Sequence, residues 1–163
     1  MRCLIIGCGC RGRILSRELV TRGDAVRGTT RDPARLASIE AAGAEAVLGD
    51  PDRVATLVAA LEHVTVACVL LGSATGSAAQ LAALHSTRLE MLLTKIVDTT
   101  IRGVVYEARG SDDAELLAGG AERVRAFGER SLAGWELIEA DPGDHAVWLA
   151  AAVAAVDGVL AGS

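Results

Sequence analysis

The first twelve residues constrain this chain more than any other stretch. An apolar run at residues 3–6 leads directly into Gly7-Cys-Gly9-Cys-Arg-Gly12, and a helix-like segment follows at residues 13–22. Strand, glycine turn and helix in that order form the Gly-x-Gly-x-x-Gly fingerprint that opens a dinucleotide-binding βαβ unit. Each glycine has its own physical task there. Gly7 permits the tight turn, Gly9 lets backbone approach a pyrophosphate with no side chain between, and Gly12 lets the helix lie close on the strand. The helix start adds unpaired N–H groups aimed at the phosphates. Gly7, Gly9, Cys10, Arg11 and Gly12 are therefore the expected pyrophosphate-binding loop.

The rest of the chain repeats the alternation. Strands are predicted over residues 2–6, 25–29, 46–48, 64–71, 102–106 and 135–140. Helices are predicted over about 11–22, 33–42, 51–61, 77–97 (one long helix or two consecutive ones), from 111–113 to 127, and 142–160. Gly23 stands where a helix end favours glycine. Asp32-Pro33, Asp50-Pro51 and Asp141-Pro142 each read as a helix start, aspartate as N-cap and proline in the first turn. The continuous apolar run at 64–71 suits a central parallel strand buried on both faces. The fold class is thus α/β: one doubly wound parallel six-stranded sheet, the Rossmann fold, in strand order 3-2-1-4-5-6. At 163 residues, a single domain covering 1–163 is expected. With one Phe and one Tyr, its core must be aliphatic.

The net charge of −5 leaves no basic excess for a nucleic-acid surface. The apolar run at 3–6 is too short for a signal peptide, and the longest one, 146–156, is too short to span a bilayer. Cys3, Cys8, Cys10 and Cys68 form no disulfide ladder, which points to a reduced, cytoplasmic protein. Heavy use of Ala and Arg suggests a GC-rich bacterial genome. Cysteines and histidines lack the spacing of a zinc site, so no metal is expected.

At the end of the second strand, where NAD sites place an acidic residue for the ribose, stands Thr29-Thr30-Arg31. A guanidinium there pairs with a 2′-phosphate, a contact of about 1.5–3 kcal/mol, or roughly ten- to a hundredfold in affinity. NADP(H) is the preferred cofactor on this reading, with NAD(H) admissible. Arg31 as a solvated surface arginine is the competing account. Asp32 reads as an N-cap, with reach to the ribose as its alternative. Of Arg11 and Arg13, one is assigned to the pyrophosphate and the other to solvent. Asp50 stands either by the adenine or as a cap.

Together with Val26-Arg-Gly-Thr-Thr-Arg31-Asp32-Pro33 and Val47-Leu-Gly-Asp50, the glycine loop resembles the atypical, extended-type short-chain dehydrogenase/reductases. These are NAD(P)-binding relatives of sugar epimerases and dehydratases. The resemblance is specific over residues 1–72 and loose from there to 111. It implies that the loop holds the pyrophosphate and that Thr30 and Arg31 hold the 2′-phosphate. It further implies that Asp50 lies by the adenine and that Leu71 and Gly72 line the ribose and nicotinamide side. Catalytic members pair a tyrosine with a lysine four residues later. Here Tyr106 and Lys95 are the only tyrosine and lysine, and position 110 is glycine. Glu107-Ala108 replaces the family's serine-bearing strand end. The chain is about half the length of an extended-type member, so the substrate-binding portion is expected to be missing.

Catalytic candidates are accordingly weak. Glu107 and Arg109, two apart at a strand end, are placed to face the cleft as a carboxylate for proton transfer beside an anion binder, or to form a surface ion pair. His145, in the first turn of the last helix, suits acid–base duty or a solvated position. His85, among leucines, reads as a helix residue packed at an edge; His63 closes the third helix. Cys8 and Cys10 read as small residues tolerated between glycines, with a thiol activated by the helix dipole and open to oxidation as the alternative; Cys3 and Cys68 read as buried fillers on neighbouring strands. The last helix carries Val147, Trp148, Ala151, Val156, Val159 and Leu160, an apolar surface for a homodimer or for burial within the chain. Two functions follow: a small NADP(H)-dependent oxidoreductase or epimerase-like protein with a non-standard active site, acting on a small molecule, or a catalytically silent NADP(H)-binding sensor or regulatory subunit.

Overall fold

A computed structural model of the chain describes residues 1–161. Six strands form one sheet: β1 (Arg2–Ile6), β2 (Ala25–Thr30), β3 (Glu45–Leu48), β4 (Val66–Val69), β5 (Gly103–Glu107) and β6 (Gly134–Ile138). Every pairing is parallel and the order is β3-β2-β1-β4-β5-β6, as the alternation predicts. The order reverses between β1 and β4, which opens a crevice at their carboxyl ends.

Six α-helices cover the sheet: α1 (Cys10–Thr21), α2 (Leu36–Glu40), α3 (Ala78–Leu84), α4 (Thr87–Ile96), α5 (Ala114–Ser131) and α6 (His145–Ala161). Strand side chains alternate between two cores, as a period of two requires. Leu4, Ile6, Val69 and Val104 pack against Leu57, Leu92, Ile96, Val124 and Phe127. Cys3, Ile5, Cys68 and Val105 pack on the opposite face against Leu15, Leu19, Ile39, Trp148 and Val156. The apolar surface of α6 is used inside the chain: Trp148, Ala152, Val156 and Val159 are buried, while Val147 stays exposed.

Side-chain caps mark several of the helix starts. Asp32 accepts from the Ala34 N–H ahead of a 3₁₀ turn at Pro33–Arg35, so its N-cap reading holds. Asp113 accepts from Glu115 and Leu116 at the start of α5. Gly23, at φ +99°, follows α1 in the left-handed region.

Two aspartate-proline readings are corrected. Asp50 bonds the Asp52 N–H in a local turn, and the helix begins later. Asp141 likewise bonds the Gly143 N–H, and Asp144 caps α6 through the Val147 N–H. A short acidic side chain closes either structure, and the dipeptide alone does not choose between them. The third helix is a 3₁₀ segment, Val54–Leu61. There the Thr56 hydroxyl donates back to the Arg53 carbonyl at 2.7 Å, favouring the tighter turn. Residues 77–97 divide into α3 and α4 at His85, whose ring is drawn into the interior.

Candidate functional site

A cleft of about 550 Å³ lies at the carboxyl ends of β1, β2, β4 and β5. Of the residues expected to bind a cofactor, Gly7, Gly9, Cys10, Arg11, Gly12, Thr30, Arg31, Asp50 and Leu71 line it. Gly72 is buried and outside the lining. Among the catalytic candidates Glu107 lines the cleft; Arg109 and His145 are exposed and stand outside it.

The glycine loop is shaped by what a side chain would strike. Gly7 has φ +79°, and a Cβ there would lie 2.7 Å from the Leu70 carbonyl oxygen. At Gly12 a Cβ would crowd Ile5 and Cys8, so α1 approaches β1 only because none is present. At Gly9 nothing lies within 4 Å: the missing side chain leaves open space on the cleft side. Backbone bonds from Cys8 to Thr29 and from Gly9 to Gly7 fix the turn. No side chain caps α1, whereas α3 begins with a full Ser77–Gln80 capping box and α5 with Asp113. The first N–H groups of α1 thus face a cleft, with the positive end of the helix dipole behind them. That arrangement is chemically suited to a diphosphate, and it is where the residues present fit a dinucleotide.

At the β2–β3 end, all three carboxylates that line the cleft are already engaged. Asp32 takes the Ala34 N–H and stands 3.6 Å from Arg35 Nε, Asp52 pairs with Arg88, and Asp50 takes the Asp52 N–H. Arg31 differs from its neighbours. Among the described residues it has no carboxylate partner; its Nη2 donates to the Thr75 carbonyl at 2.9 Å and to the Thr75 hydroxyl at 3.1 Å. Thr30 points its hydroxyl at the Asp32 backbone beside it.

The β4–β5 end is organised differently, and here one expectation is corrected. Glu107 does not work with Arg109. Its side chain is 0% exposed; Oε1 accepts from Arg11 Nε at 2.7 Å and Oε2 from the Gly72 N–H at 2.8 Å. Arg109 points outward, 3.6 Å from Asp141. Adjacent strand residues face opposite ways, so residues 107 and 109 begin on one face, but β5 ends at Glu107 and the chain turns away. Arg11 is itself 20% exposed, donates to Ser73 Oγ at 3.2 Å and lies 5.7 Å from the Trp148 ring centroid. Of the two arginines flanking the last glycine, it is Arg11 that enters the cleft, with its guanidinium held at the β5 end.

Behind this wall lies a polar cluster that sequence reasoning missed. Tyr106 Oη and His85 Nδ1 are 2.7 Å apart, and His85 Nε2 is 2.9 Å from Asp112 Oδ2, all buried. His85 is therefore an interior residue and not an edge one. Burial, with Asp112 and Glu107 adding to it, pushes the Tyr106 phenol well above its ordinary range. It lies on the opposite sheet face from Glu107, among the core residues. Lys95 is exposed on α4. The only sequence signal was a histidine in a run of leucines.

The four cysteines are unbridged. Burial pushes the Cys3 thiol up to about 12, and raises Cys8 and Cys68 as well. Cys10 is exposed at the start of α1, in the cleft. Among the described residues, no helix is long and apolar enough to cross a membrane, and no group of three or more His, Cys, Asp or Glu is placed to hold a metal ion.

A family model described as NAD(P)H-binding matches residues 7–106, from the glycine loop to the end of β5. No curated protein matches the sequence. Solved structures share the fold. A short-chain dehydrogenase/reductase superfamily protein from Agrobacterium tumefaciens with bound NAD aligns at TM-score 0.69 and 19% identity, over 84% of this chain and 48% of its own. UDP-glucose 4-epimerase from Thermotoga maritima aligns at 0.68 and 11%, over 84% and 54%. Triphenylmethane reductase from Citrobacter sp., complexed with NADP(H), aligns at 0.60 and 14%, over 83% and 48%. The chain thus spans about half the length of the structures it matches.

Proposed function

The chain belongs to the NAD(P)H-binding family, and from that premise we propose that it is a small oxidoreductase or epimerase-like protein using NADP(H) in preference to NAD(H). The observation that carries the preference is Arg31, a guanidinium at the end of β2 with no carboxylate partner among the described residues. A 2′-phosphate offers it a charge-assisted partner stronger than the Thr75 oxygens it now holds. Asp32, whose carboxylate would repel that phosphate, is turned to the Ala34 N–H and Arg35. In this reading Thr30 assists Arg31, and Asp50 stands at the adenine end. The bare Gly9 and the first N–H groups of Cys10, Arg11 and Gly12 take the pyrophosphate, while Leu71, with the buried Gly72 backing it, forms the ribose and nicotinamide side.

A nicotinamide bound there supplies or accepts a hydride. What this chain adds at that end is shape and charge balance. Both Glu107 oxygens are satisfied, so Glu107 acts as a positioning residue that holds Arg11 and the strand end after β4. Acceptors completed by hydride alone therefore suit the site, a class that includes organic cations; triphenylmethane dyes, named for the Citrobacter reductase of similar fold, are the first to try. The unbridged cysteines support a reducing, cytoplasmic setting. Val147, exposed on α6, is where a second copy would sit, which sedimentation tests.

The deciding experiment titrates the protein with NADPH and NADH and then offers aldehydes, ketones, quinones and cationic dyes. NADPH is expected to bind roughly tenfold tighter or more. Equal affinities would remove the phosphate assignment. Silence of both cofactors at millimolar concentration would remove the oxidoreductase reading, and tight binding without turnover would replace it with a sensor.

A further inference from the structure

Resting on that cofactor reading, we propose that Asp112, His85 and Tyr106 are positioning residues. They hold the Gly72–Ser73 segment in the shape that receives the nicotinamide half of the cofactor. Asp112 is attached at two points. Its carboxylate meets His85 Nε2 at 2.9 Å, and its backbone N–H donates to the Gly72 carbonyl at 3.0 Å. One residue thus joins the buried cluster to the wall of the cleft.

The wall has little freedom elsewhere. A Cβ at Gly110 would overlap the Gly72 carbonyl, so the loop after β5 rests directly on Gly72. The Ser111 N–H donates to Ser73 Oγ at 3.0 Å, the same oxygen that accepts from Arg11. Glu107 takes the Gly72 N–H from the other side. Gly72 and Ser73 are gripped between the glycine loop, through Arg11 and Glu107, and the 110–112 loop, through Asp112.

What fixes the 110–112 loop is His85. With Nε2 protonated, the ring donates to Asp112 Oδ2 and accepts from the Tyr106 hydroxyl, so both ring nitrogens and the phenol have partners. Tyr106 is anchored in β5, and a Cβ at Gly120 would overlap its hydroxyl, so α5 leaves room for this phenol and nothing larger. His85 directly follows Leu84, which with Leu81 lines the cleft from α3. The cluster therefore ties two parts of the wall, α3 and Gly72–Ser73, to the central sheet. Buried polar chains of this kind hold one arrangement because any other leaves a group unpaired. None of these atoms touches Thr30, Arg31 or Asp50 at the opposite end of the cleft.

That separation gives a test a general loss of stability does not imitate. NADPH probes the whole cleft, whereas 2′,5′-ADP reaches the β2–β3 end and the glycine loop but not the nicotinamide side. In Asp112→Ala the NADPH dissociation constant should rise about tenfold, while that of 2′,5′-ADP changes less than about twofold. Asp112→Asn, which keeps an oxygen for the His85 N–H, should recover most of the loss. Tyr106→Phe removes a single hydroxyl and should shift NADPH in the same direction. It also serves if Asp112→Ala does not fold. Without any cofactor, amide hydrogen exchange at Gly72, Ser73 and Asp112 should quicken in the folded variants. Equal weakening of both probes, unchanged NADPH affinity, or unchanged exchange at those amides would each overturn the proposal. Wild-type protein silent toward both probes would instead overturn the cofactor reading on which it stands.

Discussion

Arg31 and Arg11 line opposite ends of one cleft, yet the chain treats them in opposite ways. Arg31 is exposed and holds only the Thr75 oxygens, contacts a better acceptor can displace. Arg11 is clamped by a carboxylate that is itself wholly buried, and by Ser73. The same contrast extends to their surroundings. Around the glycine loop, donors are left open: α1 has no side-chain cap, and Gly9 leaves space where a side chain would be. Around β5, polar groups are used up on one another, in the Arg11–Glu107–Gly72 and Tyr106–His85–Asp112 clusters. One end is kept available for a ligand, and the other is spent on holding a shape. Affinity and architecture should therefore respond to different substitutions.

The largest effect is expected from Gly9→Val. Gly9 has φ −78° and no neighbour within 4 Å of a Cβ, so the folded chain tolerates a side chain there. A diphosphate over the loop would not. Losing two or more charge-assisted bonds to the helix start corresponds to about a hundredfold weaker binding, with the melting temperature little changed. Calorimetric binding retained by this variant would break the comparison at its open end.

Glu107→Ala tests the closed end and should reverse the pattern. It strips the acceptor from the Gly72 N–H and from Arg11, leaving polar groups unpaired in a largely dry place. Breaking a buried pair costs about 3–5 kcal/mol, and because Arg11 can still reach water, about 2 kcal/mol of unfolding free energy is expected. Denaturant unfolding reads this directly. A variant as stable as the parent would show that the clamp is ornamental. Arg31→Ala, by contrast, is an exposed change and should move stability by less than about 0.5 kcal/mol. It should weaken NADPH about tenfold while leaving NADH alone. Equal losses for the two cofactors would place Arg31 outside the phosphate site.

The open end was legible in the sequence and the closed end was not, for a physical reason. The glycine loop is written within six consecutive residues, and the turn at Gly7 and the close packing at Gly12 are local steric facts. The Asp32 and Asp113 caps are equally local, each bonded within three residues. Alternating strand and helix patterns gave the sheet order, because parallel pairing leaves few topologies. Glu107 and Arg11, however, are 96 residues apart, and they meet only because β1 and β5 flank β4 in one register. Glu107 with Arg109 was the nearer pair in sequence, and nearness misled. His85 shared its helix with leucines, which described the surroundings correctly but hid two partners at distances of 21 and 27 residues. Asp50 and Asp141 failed differently: aspartate before proline closes a turn as readily as it starts a helix.

The smallest effect concerns a thiol, and it probes the boundary between the two ends without changing a residue. Cys8 and Cys10 sit two apart in the glycine loop, but Cys8 is turned inward against Ser16 while Cys10 is exposed in the cleft. Burial raises Cys3, Cys8 and Cys68 above the ordinary thiol value, so all three stay protonated, and the thiolate is the reactive form. Iodoacetamide at neutral pH should therefore label Cys10 first, by peptide mass mapping, with the other three following only on unfolding. Saturating NADPH should slow that labelling if, as proposed, the cofactor lies over the loop that carries the thiol; 2′-AMP, which lacks the pyrophosphate, should slow it much less. Equal protection by both would mean that the ligand shields Cys10 by closing the Arg31–Thr75 side of the cleft and not by lying on the glycine loop. Early labelling of Cys8 would mean that the loop opens and closes as a unit, which the tight seat of Gly12 against Ile5 and Cys8 argues against.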